Sequence, residues 1–308
     1  MDEDVAYLVG LILVRGTLEE QEDIKRLNIE FPYKSLEATG IKTAVKQRDA
    51  LLLSANSIRD RVNELLDVDF KVEDLNNSVI LSAVLTKNTM AWRNLKLILG
   101  GKVSYTEFQL NSIFYDVETN IRKELVRGVA DATGFIRPSN HFYNRHRIYF
   151  EINNANWYLP LQLCKLLQGM GVGVQLIQWR HPNLRGSEQV NVNPENSTWA
   201  KEHQIKIFPE EFEKVGFYSP HKQKILEEFI EYNKKTFQRR HEECNPFEKG
   251  IRKSKPSHPC EEHNKIPEQI RGKHFDGYWQ ICQALGCTQG KPSPQITFDF
   301  EDVSEEDV

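Results

Sequence analysis

Four of the five cysteines, Cys244, Cys260, Cys282 and Cys287, fall within 44 residues, and His258, His263 and His274 lie among them. Zinc takes four tetrahedral nitrogen or sulfur ligands, and a small segment poor in apolar residues would gain stability from one. Cys244, Cys260, Cys282, Cys287 and His263 are therefore candidate ligands of a structural zinc ion. No Cys-x-x-Cys pair is present, so scattered reduced thiols remain the other reading. Just upstream, Lys234, Lys235, Arg239, Arg240, Lys249, Arg252, Lys253 and Lys255 crowd a stretch that also holds Pro246, Pro256 and Pro259. Such a run is either a solvated linker or a source of phosphate contacts to a nucleic acid.

The overall charge does not decide between these. Of 308 residues 39% are hydrophobic and 27% charged, which fits a soluble globular chain, and the formal net charge is -4. Six acids, Asp299, Glu301, Asp302, Glu305, Glu306 and Asp307, sit in the last ten residues; without them 40 basic face 38 acidic residues, a net of +2. A nucleic-acid-binding face depends on where charges sit rather than on their sum. The apolar run Val5 to Val14 follows Asp2, Glu3 and Asp4, where a secretory signal needs basic residues, and it is too short to span a bilayer. A cytoplasmic protein with reduced cysteines and no membrane partner is expected.

Two nonapeptides 118 residues apart organise the rest. Leu8-Val9-Gly10-Leu11-Ile12-Leu13-Val14-Arg15-Gly16 and Val126-Arg127-Gly128-Val129-Ala130-Asp131-Ala132-Thr133-Gly134 each read as a helix closed by glycine. Small and apolar residues, Gly10, Gly128 and Ala132 among them, recur at positions suited to close helix packing. Each is followed by alternating residues: Leu27, Ile29 and Phe31 against Arg26, Asn28 and Glu30, then Ile148, Phe150 and Ile152 against Arg147, Tyr149 and Glu151. Both read as half-buried strands. Helices are expected over 57–66 and 157–167, strands over 78–86 and 172–180, and closing helices over 92–99 and 220–234. The pattern is helix, two strands, helix, two strands, helix, used twice.

These segments, with the stretch "YFEINNANWYLPLQLCKLLQGMGVGVQLIQW", resemble the LAGLIDADG homing endonucleases in their single-chain, two-repeat form. The resemblance covers residues 5 to 235. It implies an α+β fold of two αββαββα repeats forming a DNA-binding saddle, with a first repeat over 1–120 and a second over 121–235. A basic Cys/His extension over 236–290 and an acidic tail over 291–308 would follow. It further implies a monomer that reads duplex DNA in the major groove through outward strand residues. By alternation these are Arg26, Asn28 and Glu30 in the first half, and Arg145, Arg147, Gln175 and Arg180 in the second.

The family cleaves with an acid at the penultimate place of each motif, the two carboxylates holding Mg²⁺ at the scissile phosphates. In this sequence those places are Arg15 and Thr133. A guanidinium repels a cation, and a hydroxyl is at best a weak neutral ligand. Arg15 would instead meet a phosphate or a narrow minor groove, or simply end a helix on the favourable side of its dipole. The fallback acids are Asp131, turned roughly 200° around its helix from Thr133, and Glu19 and Glu20 after the first motif. The reading is a sequence-specific DNA-binding protein that has lost metal-dependent cleavage. The alternatives are an active endonuclease with a rebuilt metal site and an RNA-binding, maturase-like splicing factor.

Overall fold

A computed structural model describes residues 2–21, 24–66, 69–85, 90–138, 146–156, 158–181 and 202–243. In chain order the first half runs α1 (Glu3–Arg15), β1 (Gly16–Gln21), β2 (Ile24–Pro32), α2 (Tyr33–Leu36), β3 (Ala38–Thr39), β4 (Ala44–Val45), α3 (Arg48–Leu66), β5 (Lys71–Asp74), β6 (Ser78–Leu85) and α4 (Met90–Ile98). After α5 (Ile113–Asp116) the second half runs α6 (Thr119–Thr133), β7 (Gly134–Phe135), β8 (Ile148–Ile152), α7 (Tyr158–Gly169), β9 (Val174–His181), β10 (Glu202–Ile207), α8 (Pro209–Phe212) and α9 (Pro220–Glu243). Two antiparallel four-stranded sheets result, ordered β1-β2-β6-β5 and β7-β8-β10-β9. Each half places its strands in the same spatial order, which makes the fold α+β with αββαββα used twice.

Helix α1 begins at Asp2, whose carboxylate accepts from the Val5 N–H at 2.8 Å, and its acidic first turn suits the positive end of the helix dipole. Residues Ala6 to Arg15 are all buried, as expected of a helix at the centre of the molecule rather than on its surface. Its partner is α6. A Cβ added at Gly10 would lie well under 3.0 Å from the Leu125 carbonyl oxygen and 3.1 Å from the Val129 nitrogen. One added at Gly128 would meet the Tyr7 carbonyl oxygen in the same way and stand 3.1 Å from the Leu11 nitrogen. In each case the opposing residues are three before and one after the partner glycine, so the two sides of the crossing are related by the same 118-residue shift as the sequence motifs.

The sheets close over this helix pair. Leu27, Ile29 and Phe31 on β2, with Val79, Leu81, Ala83 and Leu85 on β6, form one buried face. Ile148, Phe150 and Ile152 on β8, with His203, Ile205 and Ile207 on β10, form the other. Helix α3 presents Leu51, Ala55, Ile58 and Val62 on one stripe and α7 presents Leu159, Leu163, Leu166 and Leu167, the 3.6-residue spacing that lets a helix cover a sheet. Cys164 of α7 is a fully buried thiol within this core. Each fully buried Leu, Ile or Phe contributes roughly 1.5–3 kcal/mol, so the common core outweighs any single polar interaction. Among the described residues no helix is long and apolar enough to cross a membrane.

Several boundaries differ from the sequence expectation. Helix α3 starts at Arg48, nine residues before the expected 57. The short α2, β3, β4 and α5 were not expected, and α9 extends to Glu243. The larger difference concerns β8. Its Tyr149 and Glu151 were expected on an open face, yet all five of its residues are buried. Polar side chains there are engaged with one another, as follows.

Candidate nucleic-acid interface

The two motif helices end side by side. The C-cap glycines Gly16 and Gly134 donate their N–H groups to Ile12 and Ala130 carbonyls, and each immediately starts a strand. Arg15 and Thr133 are therefore the last residues of paired helices, where the resemblance would have two metal-binding acids. Arg15 is 5% exposed, and both its terminal nitrogens lie 3.4 Å from Glu202 Oε1 of β10. Its Nε is buried without a hydrogen-bond partner. Thr133 is fully buried and donates its hydroxyl back to the Val129 carbonyl at 2.7 Å, satisfying itself within its own helix.

A third group completes this end of the pair. Lys222 of α9 is fully buried, and its Nζ donates to the carbonyl oxygens of Asp131 and Gly134, each at 2.9 Å. Carbonyls at a helix C-terminus lack intrahelical donors and carry the negative end of the dipole, so an ammonium suits them. Burial, aided by the charge of Arg15, lowers the Lys222 pKa to about 8 even though Asp131 opposes the shift. A divalent cation needs anionic or neutral oxygen ligands. Here the paired ends carry a guanidinium, a self-bonded hydroxyl and a buried ammonium, and these residues do not fit Mg²⁺.

None of the fallback acids supplies the missing ligand at that point. Asp131 is buried, and its carboxylate accepts from the Tyr7 hydroxyl of α1 at 3.0 Å and from the N–H groups of Tyr218 and Ser219, just before α9, at 3.0 and 3.1 Å. Burial pushes its pKa up against the pull of Lys222 and these donors. Glu19 lies four residues along from Arg15, about 13 Å at strand rise. It points to the outward face of β1, where Asn28 donates to it at 3.2 Å and Arg26 lies 4.0 Å away. Glu20 points to the opposite face and pairs with Lys96 at 2.9 Å and Lys25 at 3.6 Å. Among the described residues no group of three or more His, Cys, Asp or Glu could hold a metal ion.

Sequence reasoning missed the acids that do lie close to Arg15. Glu151 of β8 and Glu202 of β10 share the ammonium of Lys34 from α2, at 2.9 and 3.0 Å. Burial disfavours ionising two adjacent carboxyls, so they divide the charge. Glu151 is held below the usual range, against burial, by a hydrogen bond from Glu202 and by Lys34 and Arg15. Glu202 is pushed up by its burial and by the charge of Glu151. Against its own desolvation, the same two carboxylates raise the Lys34 pKa and keep it protonated. Gln204 adds a hydrogen bond to Glu151 at 3.1 Å. This cluster ties α1 and α2 of the first half to the sheet of the second.

The two outward faces consequently differ. On the first sheet Glu19, Arg26, Glu30, Lys71, Glu73 and Val84 are exposed and Asn28 is half-buried. On the second, Tyr149, Glu151, Gln175, Glu202, Gln204 and Lys206 are all buried. Arg147 is half-buried and donates to Gln175 at 3.2 Å. Burial, with Arg147 adding repulsion, lowers Lys206 to about pKa 7. Arg180 belongs to β9, but its side chain lies outside what the structure describes, and Arg145 lies outside the described residues altogether. The zinc candidates Cys244, Cys260, Cys282, Cys287 and His263, the basic residues Lys249, Arg252, Lys253 and Lys255, and the acidic tail also lie outside them.

No family model matches the sequence, and a search of curated proteins finds no match. Among solved structures the chain is similar to full-length DUF199/WhiA from Thermatoga maritima, at 11% identity and a TM-score of 0.42, over 76% of this chain and 60% of that one. It thus spans less than two thirds of that protein. Similarity extends to the N-terminal LAGLIDADG domain of DUF199/WhiA, at 11% identity and a TM-score of 0.38, over 70% of this chain and 81% of that one. The homing endonuclease I-DmoI in complex with DNA and Mn is similar at 14% identity and a TM-score of 0.37, over 69% of this chain and 96% of that one. The chain's own glycine-packed helix pair and two antiparallel sheets give it a LAGLIDADG-like α+β fold.

Proposed function

We propose that this protein is a single-chain pseudo-dimer that binds duplex DNA sequence-specifically and holds it without cutting by the metal-dependent route. The observation that carries the reading is the chemistry at the paired ends of α1 and α6: Arg15 against Glu202, Thr133 closed on Val129, and the Lys222 ammonium on the last carbonyls of α6. Two carboxylates there would draw a divalent cation to the scissile phosphates. Two built-in cations draw none, and they neutralise the helix ends without it. The outward side of an antiparallel sheet can still lay donors and acceptors along a major groove, where all four base pairs differ. A regulatory or recognition role follows, in which occupancy rather than strand scission is the output.

The test is selection from a randomised duplex library in the presence of Mg²⁺ or Mn²⁺, with bound and cut products sequenced separately. Enrichment of a motif without reproducible cut ends supports the reading. Cut ends that disappear with a chelator would replace it by the endonuclease reading, and enrichment only of structured RNA would replace it by an RNA-binding one.

A further inference from the structure

We infer that base reading is one-sided: the outward face of the first sheet, β1-β2-β6-β5, contacts base edges, and that of the second sheet does not. This rests on the DNA-binding reading above and narrows it to a substrate, a short asymmetric duplex site. The contrast between the two faces is the basis. On β2 the outward residues Arg26, Asn28 and Glu30 are flanked in register by Val84, Ser82 and Ile80 of β6, and none of these six is buried. Glu19, across from Arg26 on β1, holds both Asn28 and Arg26 upright. The face offers the guanidinium that pairs with guanine, the amide that pairs with adenine and a carboxylate that accepts from cytosine. Residues two apart on a strand stand about 6.6 Å apart, which matches roughly two base-pair steps of about 3.4 Å.

The opposite sheet has the polar inventory but not the freedom. Gln204 bonds Glu151, Gln175 accepts from Arg147, and Glu151 and Glu202 share Lys34. Turning these groups toward bases would break the Lys34 ion pairs and the hydrogen bonds of Gln204 and Gln175, and would leave buried polar groups without partners. Energetics therefore keep that face out of the groove. Strand β2 has nine residues and spans about 30 Å, so one sheet covers about 9 base pairs, where two would cover about twice that. Arg26 and Lys71 are the cations on the reading face among the described residues. With Arg26 on a base edge, Lys71 is left for a phosphate, and this face adds only about -1 to the log–log salt slope.

The experiment combines library selection on the full-length protein with hydroxyl-radical footprinting of the winning duplex. The expected result is one information-bearing block of about 9 base pairs by that geometry. In parallel, Arg26→Ala and Asn28→Ala should alter base preference at positions about two base pairs apart, and Gln204→Ala should leave the motif unchanged. Circular dichroism establishes that each variant is folded, and the wild-type motif length is decisive even if one is not. A motif with two information-bearing halves, or one redrawn by Gln204→Ala, overturns one-sided reading while leaving DNA binding intact. Absence of any enriched duplex overturns both.

Discussion

Replacing Gly10 or Gly128 by alanine introduces one methyl group at a place with backbone on the far side. At either position the new Cβ would fall well under 3.0 Å from a carbonyl oxygen, of Leu125 or of Tyr7, and neither obstacle is a flexible side-chain end. The helices must part by about 1 Å, and at that gap the flanking side chains forfeit about a quarter to a half of their dispersion energy. Those flanks are Leu8, Leu11, Ile12, Val126 and Val129, all buried. Overpacking of a rigid site costs about 3 kcal/mol, from which about 1 kcal/mol of helix propensity is recovered. A net loss of about 2 kcal/mol shifts the urea midpoint by about 0.7 M at a slope of about 3 kcal/mol/M. The double variant supplies the sharper test. One parting of the helices relieves both clashes, so Gly10→Ala with Gly128→Ala should cost little more than either alone, a coupling of about 2 kcal/mol. Gly100→Ala is the control, because its φ of 62° is unfavourable to alanine while nothing lies near its Cβ, and about 1 kcal/mol is expected. Urea unfolding followed by circular dichroism reads all four. Single variants within about 0.5 kcal/mol of wild type, or strict additivity in the double, would refute the close crossing.

Three further outcomes are expected. Because burial lowers the Lys222 pKa from 10.5 to about 8, the unfolded chain binds the proton more tightly between those values. Its contribution is therefore complete above the unfolded pKa and is lost as pH falls toward the folded one, at up to about 1.4 kcal/mol per pH unit. Lys222→Met should flatten the rise in urea midpoint between pH 8 and pH 10, and an unchanged slope would count against burial of the ammonium. Arg15→Met removes the guanidinium beside Glu202 and should cost about 3 kcal/mol. That variant should recover as pH falls, since Glu202, already raised by burial, can take up a proton; equal losses at pH 5 and pH 8 would speak against the pair. Asp131→Asn should loosen the start of α9, seen as faster hydrogen exchange at Tyr218 and Ser219, whose N–H groups it accepts. Unaltered exchange there would show that the carboxylate is dispensable.

How far the sequence led can be judged residue by residue. Gly10 and Gly128 were legible as a pair because close helix approach leaves few residue choices, and the same spacing set Arg15 opposite Thr133. The alternation of Leu27, Ile29 and Phe31 was legible because one face of that strand is open, so a period of two survives. On β8 both faces are buried, and the alternation of Tyr149 and Glu151 signals partners instead of solvent. Nothing local could reveal those partners. Glu202 lies 187 positions from Arg15, and Lys34 reaches Glu202 from 168 positions away. Strand β10, with Glu202, Gln204 and Lys206, is too polar to read as a buried strand. Lys222 escaped notice for a related reason: lysine is almost never fully buried, and it is the carbonyls at the end of a helix distant in sequence that receive its ammonium there.

The most direct measurement loads a selected duplex to saturation with the protein, adds Mn²⁺, and resolves both strands on a denaturing gel after prolonged incubation. On the proposed reading the cations built into the paired ends of α1 and α6 exclude the ion, so both strands should remain full length while the duplex stays bound. A nick or a double-strand break near the centre of the site, abolished by chelation, would contradict that claim.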